Sequence, residues 1–458
     1  MAHKTDAFGE YPLPAEVVRF IYDYYFDAPE ILAADEEFYA LCVDGTLHVC
    51  PRYAEPFTYT DIESIASNDL DPGAMGDGLS ACVVITRSGN VFTRGKVRGG
   101  GKLDLLAQNA IKASRDRDAY PTSVYHTSRT FAILFSNGDQ VSWGDTDCWQ
   151  PNLGNLDLSE VDTLFANKSW FAALMKDKTV QTWPAKDAPL QYQTKTDSDE
   201  MKGVVRIYST WGAFAALRGD GTVVTWGDMR CGGYVKERLT DVKCIFNTFG
   251  AFAALKEGGT VVTWGDSHDG GDSSDVSKEL EKVEDICATW TAFAARCHNG
   301  SVVTWGGGHD GGGVVAKVPP VIEIYSTFQF VARTLDNRFV TWTHTHACPD
   351  ISYPVQEALG SRHITQLFTN KGTFTVIADA TAFTPNALWS GIDVTDIGSR
   401  PPIRVVSQGA YFLATIDTGD VVAWGQDRIR FVDRGYADII NQHQRSIRVA
   451  FKTVMGMK

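Results

Sequence analysis

An all-β repeat array is the fold class this sequence predicts, and three observations predict it. The stretch Phe214–Asp228 (FAALRGDGTVVTWGD) recurs as Phe252–Asp266 (FAALKEGGTVVTWGD) and Phe293–Gly307 (FAARCHNGSVVTWGG). The residue that opens the motif has counterparts at Phe38, Cys82, Phe131, Phe171, Phe214, Phe252, Phe293, Phe330, Phe374 and Phe412, at spacings of 37 to 49. A tryptophan recurs at one place in the second half of the motif: Trp143, Trp183, Trp226, Trp264, Trp305, Trp342 and Trp424. Repetition at this period marks a propeller or a stacked array. The expectation is a β-propeller-like array of about ten three-stranded repeats of ~41 residues. Ten exceeds the four to eight blades usual for propellers, and the sequence leaves the blade count open.

Each unit reads as a hairpin with a strand ahead of it. Asp220-Gly221 is a strong turn signal, because glycine tolerates the positive φ such turns demand. FAAL and VVTW are apolar at consecutive rather than alternate positions, so both are expected to be buried on two faces. Seven residues before the opening residue stands another apolar side chain, as at Ile31, Val124, Leu164, Ile207, Ile245, Ile286, Leu367 and Val405. That places a third strand in most units. Units five to seven are the most regular; the first, second and ninth are degenerate.

The flanks differ. Residues 1–30 form an N-terminal extension in which Val17, Phe20, Ile21, Tyr24 and Tyr25 follow helical spacing between Pro14 and Pro29. Residues 31–458 are the repeat region. Within it, Lys102–Arg117 (KLDLLAQNAIKASRDR) predicts a helical insertion after Gly99-Gly100-Gly101. Ser446–Val454 (SIRVAFKTV) resembles a lone first strand, which suits pairing back onto the first repeat to close a ring; the other reading is an ordinary edge strand.

Composition narrows the function classes. With 42 basic and 56 acidic residues the formal net charge is −14. General attraction to nucleic acid or anionic membrane rests on basic patches, so neither is the expected partner. No apolar run approaches the ~18 residues of a membrane span, and the N-terminus lacks a basic-then-apolar signal segment. The nine cysteines stand singly, with no C-x-x-C pair. That usage suits reduced thiols in an intracellular, cytoplasmic protein rather than a secreted disulfide scaffold.

The unit F-A-A-L-x-x-D-G-T-V-V-T-W-G-D resembles the regulator of chromosome condensation repeat family, over roughly residues 31–426. The resemblance is carried by Ala216-Leu217, Asp220-Gly221 and Val223–Gly227. It implies a β-propeller. Family units are usually longer and carry G-Q-L-G after W-G; here Gly232-Gly233 and Gly270-Gly271 stand in that place. The short unit looks more like the branch represented by a bacterial β-lactamase inhibitor protein than the branch of chromatin-bound exchange factors. Tryptophan–aspartate repeats fit less well, because W-G-D is not W-D and the Gly-His signature is missing.

The candidate site is a set of loop aromatics ahead of the middle strand. Trp211, Phe249 and Trp290 each stand three residues before the opening phenylalanine, and Phe328 falls in the same loop one residue offset. Equivalent loops share one face of a propeller, so these rings are expected to form an arc. The resemblance implies that such aromatics bind a protein partner, as in the inhibitor branch and in plant UV-B photoreceptors. The other reading buries them as wedges between blades.

Three further patterns carry less. His344, His346 and Cys348 alternate on an extended segment as zinc or copper ligands would, but no fourth ligand has suitable spacing, and no metal is expected. Gly306-x-Gly308-x-x-Gly311 matches a dinucleotide fingerprint formally, yet Val314–Pro320 cannot start the helix that site requires. The Asp-rich loop Asp266–Asp275 lacks the calcium spacing and reads as solvated turns. No hydrolase elbow, H-E-x-x-H or P-loop occurs. The expectation is therefore a non-enzymatic interaction module without catalytic residues or cofactor. The alternatives are a guanine-nucleotide exchange factor for a small GTPase, or an accessory subunit of a large assembly attached through segments 14–28 and 102–117.

Overall fold

The computed structural model describes residues 30–425 apart from 35–36, 43, 52–56, 69–80, 127–129, 145–156, 168–169, 185–198, 314–317, 328, 343–351, 361, 370–373, 380, 386–391, 397–401, 409–410 and 417–420. Among these residues ten antiparallel sheets follow one another along the chain. They are sheet 1 (30–59), sheet 2 (62–95), sheet 3 (121–144), sheet 4 (161–184), sheet 5 (204–227), sheet 6 (242–265), sheet 7 (283–306), sheet 8 (321–342), sheet 9 (364–396) and sheet 10 (402–425). Eight have three strands; sheets 1 and 9 have four. The protein is thus an all-β, propeller-like array with as many sheets as the motif has copies.

Sheet 5 shows how the motif becomes a sheet. Its strands are Val204–Ser209, Ala213–Arg218 and Val223–Gly227. Gly221 turns the hairpin with φ +77°, and the Asp220 carboxylate accepts from the Thr222 amide at 3.0 Å. The register sets Phe214 opposite Trp226. The same Phe–Trp pairing recurs at Phe131–Trp143, Phe171–Trp183, Phe252–Trp264, Phe293–Trp305, Phe330–Trp342 and Phe412–Trp424.

The middle strand is buried on both faces, as its composition predicts. The third strand corrects the expectation: Val224, Thr225, Val261, Val262 and Thr263 are only half-buried. Successive sheets pack most closely along their first strands, and a middle strand also packs on the first strand of the following sheet. The third strand lies farther from this seam and is covered less.

The core lies between sheets. In sheet 5, Ala213, Ala215 and Leu217 face sheet 6, where they meet Ile245, Phe252 and Trp264. Phe214 and Ala216 point the other way, toward Ala172 and Leu174 of sheet 4. Successive side chains of a strand point to opposite faces, so one middle strand presents a small, flat face forward and a bulky one backward. Ala251 and Ala253 repeat this against Phe293 and Trp305, and Ala292 and Ala294 against Phe330 and Trp342. Each seam from sheet 1 through sheet 10 holds such a cluster. Finally Glu30–Ala34 of sheet 1 lies beside Pro402–Gln408 of sheet 10, which brings the array round on itself. The segments 14–28 and 446–454 lie outside the described residues.

A short 3-10 turn leaves several sheets and ends on a glycine. In the turn Met229–Cys231, Gly232 follows at φ +93°, a value that disfavours a side chain. A Cβ there would stand 2.6 Å from the Phe252 ring of the next sheet. The Gly232 carbonyl accepts from Trp264 Nε1 at 3.0 Å. Gly270 does the same for Trp305 at 3.0 Å, and Gly100 for Trp143 at 2.8 Å. Gly233 lies directly against the Gly227 carbonyl. The glycine pair is therefore a socket for the following sheet.

The insertion is helical as predicted: α1 is Leu105–Arg115, with the Asp104 side chain accepting from the Ala107 amide at 2.7 Å. Its Ala107 and Ile111 fill the seam between sheets 2 and 3. A second helix, α2 (Ser352–Leu359), lays Val355 and Leu359 into the seam between sheets 8 and 9. No helix among the described residues is long and apolar enough to cross a membrane.

Candidate interaction face

The loop from first to second strand carries the predicted aromatics, and buried threonines set its shape. Thr210 is buried where sheet 5 turns; its hydroxyl donates to the Cys231 carbonyl at 2.8 Å and accepts from the Ala213 amide at 3.1 Å. Thr248 repeats both contacts with Asp269 and Ala251. Thr289 donates to the Asp310 carbonyl at 3.1 Å. In sheet 2 Asn68 serves instead, donating to the Gly99 carbonyl at 2.9 Å and accepting from the Ala81 amide at 2.7 Å. Each such contact ties the loop to the 3-10 turn leaving the same sheet. With the polar residue turned inward, the next residue turns toward solvent.

That next residue is Trp211, Phe249 or Trp290. Trp211 and Phe249 are half-buried, and Trp290 is 50% exposed. Trp211 stacks on Phe249 with centroids 5.1 Å apart and planes 26° apart. Phe249 stacks on Trp290 at 5.7 Å and 11°. The backbone follows the same path: the Trp211 amide donates to the Phe249 carbonyl and the Phe249 amide to the Trp290 carbonyl, each at 2.8 Å. The three rings form one stacked row across three sheets. Phe328 lies outside the described residues. Its neighbour Thr327 accepts from the Gln329 amide at 3.1 Å, so the threonine turn persists in the shortened loop.

Carboxylates flank the row. Asp228 and Asp266 cap the 3-10 turns by accepting from the Arg230 and His268 amides at 2.9 and 2.8 Å. Asp269 Oδ2 is packed so close to Gly250, beside Phe249, that a Cβ there would meet it at 2.5 Å. Asp310 Oδ2 accepts from Thr291, beside Trp290, at 2.6 Å. Hydrogen bonding from Arg230 holds the Asp228 carboxyl below its ordinary range. Burial, and then the charge of Asp266, push Asp269 up. Burial also raises the Cys231 thiol to about 11, so it stays protonated and unreactive at neutral pH.

The remaining sequence candidates fall elsewhere. Gly306 ends the last strand of sheet 7, and Gly308 and Gly311 lie in the loop that follows, where Gly311 supports the Phe330 ring rather than opening a phosphate-binding helix. The Asp266–Asp275 loop does more than solvate a turn, since Asp266 caps and Asp269 packs. His344, His346 and Cys348 lie outside the described residues. Sequence reasoning missed the threonines, although a threonine precedes all four aromatics.

No family model matches the chain, and a comparison with curated proteins found no match. Solved structures do resemble it. The CRINKLY WD40 ectodomain of the Arabidopsis thaliana receptor kinase ACR4 is 13% identical, with a TM-score of 0.32 over 68% of this chain and 98% of that one. The computationally designed Ika8 protein is 13% identical, with a TM-score of 0.33 over 67% and 96%. Prp20p from Saccharomyces cerevisiae is 14% identical, with a TM-score of 0.32 over 59% and 72%. The class of the chain, an all-β propeller-like repeat array with ten sheets among the described residues, rests on the sheets and seams themselves.

Proposed function

We propose that this protein is a non-enzymatic interaction module of the regulator of chromosome condensation type, close to the short-unit branch. It docks a protein partner on the face carrying Trp211, Phe249 and Trp290, with Phe328 continuing the row. The observation that carries this reading is the tethered stack. Large rings partly open to solvent supply hot-spot contact area. Their loops are already fixed by backbone hydrogen bonds and buried threonines, so little ordering entropy remains to be lost on docking. The singly placed cysteines support an intracellular setting.

Trp290→Ala is the decisive variant. Partner affinity should fall by about 2 kcal/mol or more, the scale of an interface hot spot, with the melting temperature nearly unchanged. A destabilised variant that captures the partner as well as wild type does would make the ring a structural wedge and end this reading.

A second attachment point is favoured by one observation. Leu105 and Leu106 at the start of α1 are 70% and 80% exposed, although the helix is docked through its opposite side. They would serve as a contact to a larger assembly. Leu106→Ser should then release the protein from that assembly without altering its fold.

A further inference from the structure

We infer that the segment recognised by this face is rich in arginine. The inference rests on the docking reading above and specifies the chemistry of the partner. Phe249 and Trp290 are each followed by a residue in contact with a carboxylate of the same unit, Asp269 at Gly250 and Asp310 at Thr291. Beside Trp211 the matching position is Cys231, whose Sγ stands 3.2 Å from where a Cβ on Gly212 would be. The carboxylate of that unit is Asp228, which packs on the same glycine through its Cβ at 3.2 Å as Asp266 does on Gly250 at 3.3 Å.

The loops 228–233, 266–272 and 307–312 together hold Asp228, Asp266, Asp269, Asp272 and Asp310. Against these stands one arginine, Arg230, whose guanidinium already pairs with Asp228 at 2.8 Å. The face is thus an aromatic row edged by carboxylate charge in excess.

Arginine complements both features with one side chain. Its apolar stem covers ring surface while its charged head stays in water. The guanidinium plane packs on aromatic rings and pairs with carboxylates through two parallel hydrogen bonds. A nucleic acid or an acidic peptide would meet repulsion here.

The test is calorimetric titration of the full chain with a synthetic peptide alternating arginine and leucine. Its controls carry citrulline, a neutral isostere, or glutamate in place of arginine. The arginine peptide should bind, and the citrulline peptide should bind at least about tenfold more weakly, as loss of charge-assisted hydrogen bonds implies. Added salt should weaken the arginine complex. Trp290→Ala and Asp269→Asn should each weaken it several-fold, whereas Asp220→Asn, on the hairpin-turn face, should not. Asp266→Asn is a second carboxylate variant that keeps a capping side chain.

Equal binding of the citrulline peptide, indifference to both carboxylate variants, or no binding of the arginine peptide would overturn the inference. If Trp290→Ala still abolishes capture of the natural partner, the docking reading survives that result. If it does not, both readings fall.

Discussion

Gly232 is held by two demands at once, a left-handed φ of +93° and a Phe252 ring where its side chain would be. Gly232→Ala should destabilise the protein by about 1–3 kcal/mol, measurable by urea unfolding. Trp264 plugs the other side of the socket and is 6% exposed, so Trp264→Ala should cost about 3–5 kcal/mol in the same measurement. Thr248→Val leaves the Asp269 carbonyl and the Ala251 amide without the hydroxyl they share, a loss of about 1–3 kcal/mol. Asp269 behaves oppositely. The fold raises its pKa, so its contribution is favourable below the unfolded-state value and is lost as pH rises through the folded one. Asp269→Asn should therefore melt at the same or a higher temperature at pH 7, with the difference closing toward acid pH. The phenylalanines and tryptophans of these sockets were legible in the sequence as periodic landmarks. The glycine and threonine roles were not, because each is defined by a neighbour in another strand or the next unit.

At the scale of elements, α1 was legible from its composition and its glycine-rich lead-in, and its docking follows from Ala107 and Ile111. Ile111→Ala should remove about 2–5 kcal/mol of stability, since the side chain lies in the seam between sheets 2 and 3. The eight-residue helix α2 was not legible: two turns are too few for a period to emerge from SYPVQEAL. The extra strands Phe57–Tyr59 and Ile392–Asp396 lie outside the repeated unit, so no pattern announced them. The third strands looked like interior strands because VVTW is apolar. Their half-exposure follows from distance to the first-strand seam, which spacing along a chain does not encode.

At the scale of the molecule, the spacing of ten landmarks matches the ten sheets among the described residues, and stability is divided among the seams between them. Such a molecule approximates a sum of unit and seam energies. Ending the chain after residue 396 removes sheet 10 and uncovers sheet 1. Hydrogen exchange should then accelerate in Glu37–Leu41, while Ala251–Lys256 in sheet 6 keeps its protection. Uniform loss of protection would mean that the ring opens and closes as one body.

The socket also bears on how such a chain grows. Residues 214–233 carry a hairpin and, immediately after it, the glycine pair that receives the next tryptophan. A duplication of one motif period therefore copies a sheet together with the fitting for its successor, so a new unit arrives able to join on both sides. Point changes at Gly232 are costly, whereas gain or loss of an internal period leaves the joints between the remaining neighbours intact. Such a change alters the reach of the array in whole steps of one sheet, with the same tryptophan-and-glycine fitting at each joint.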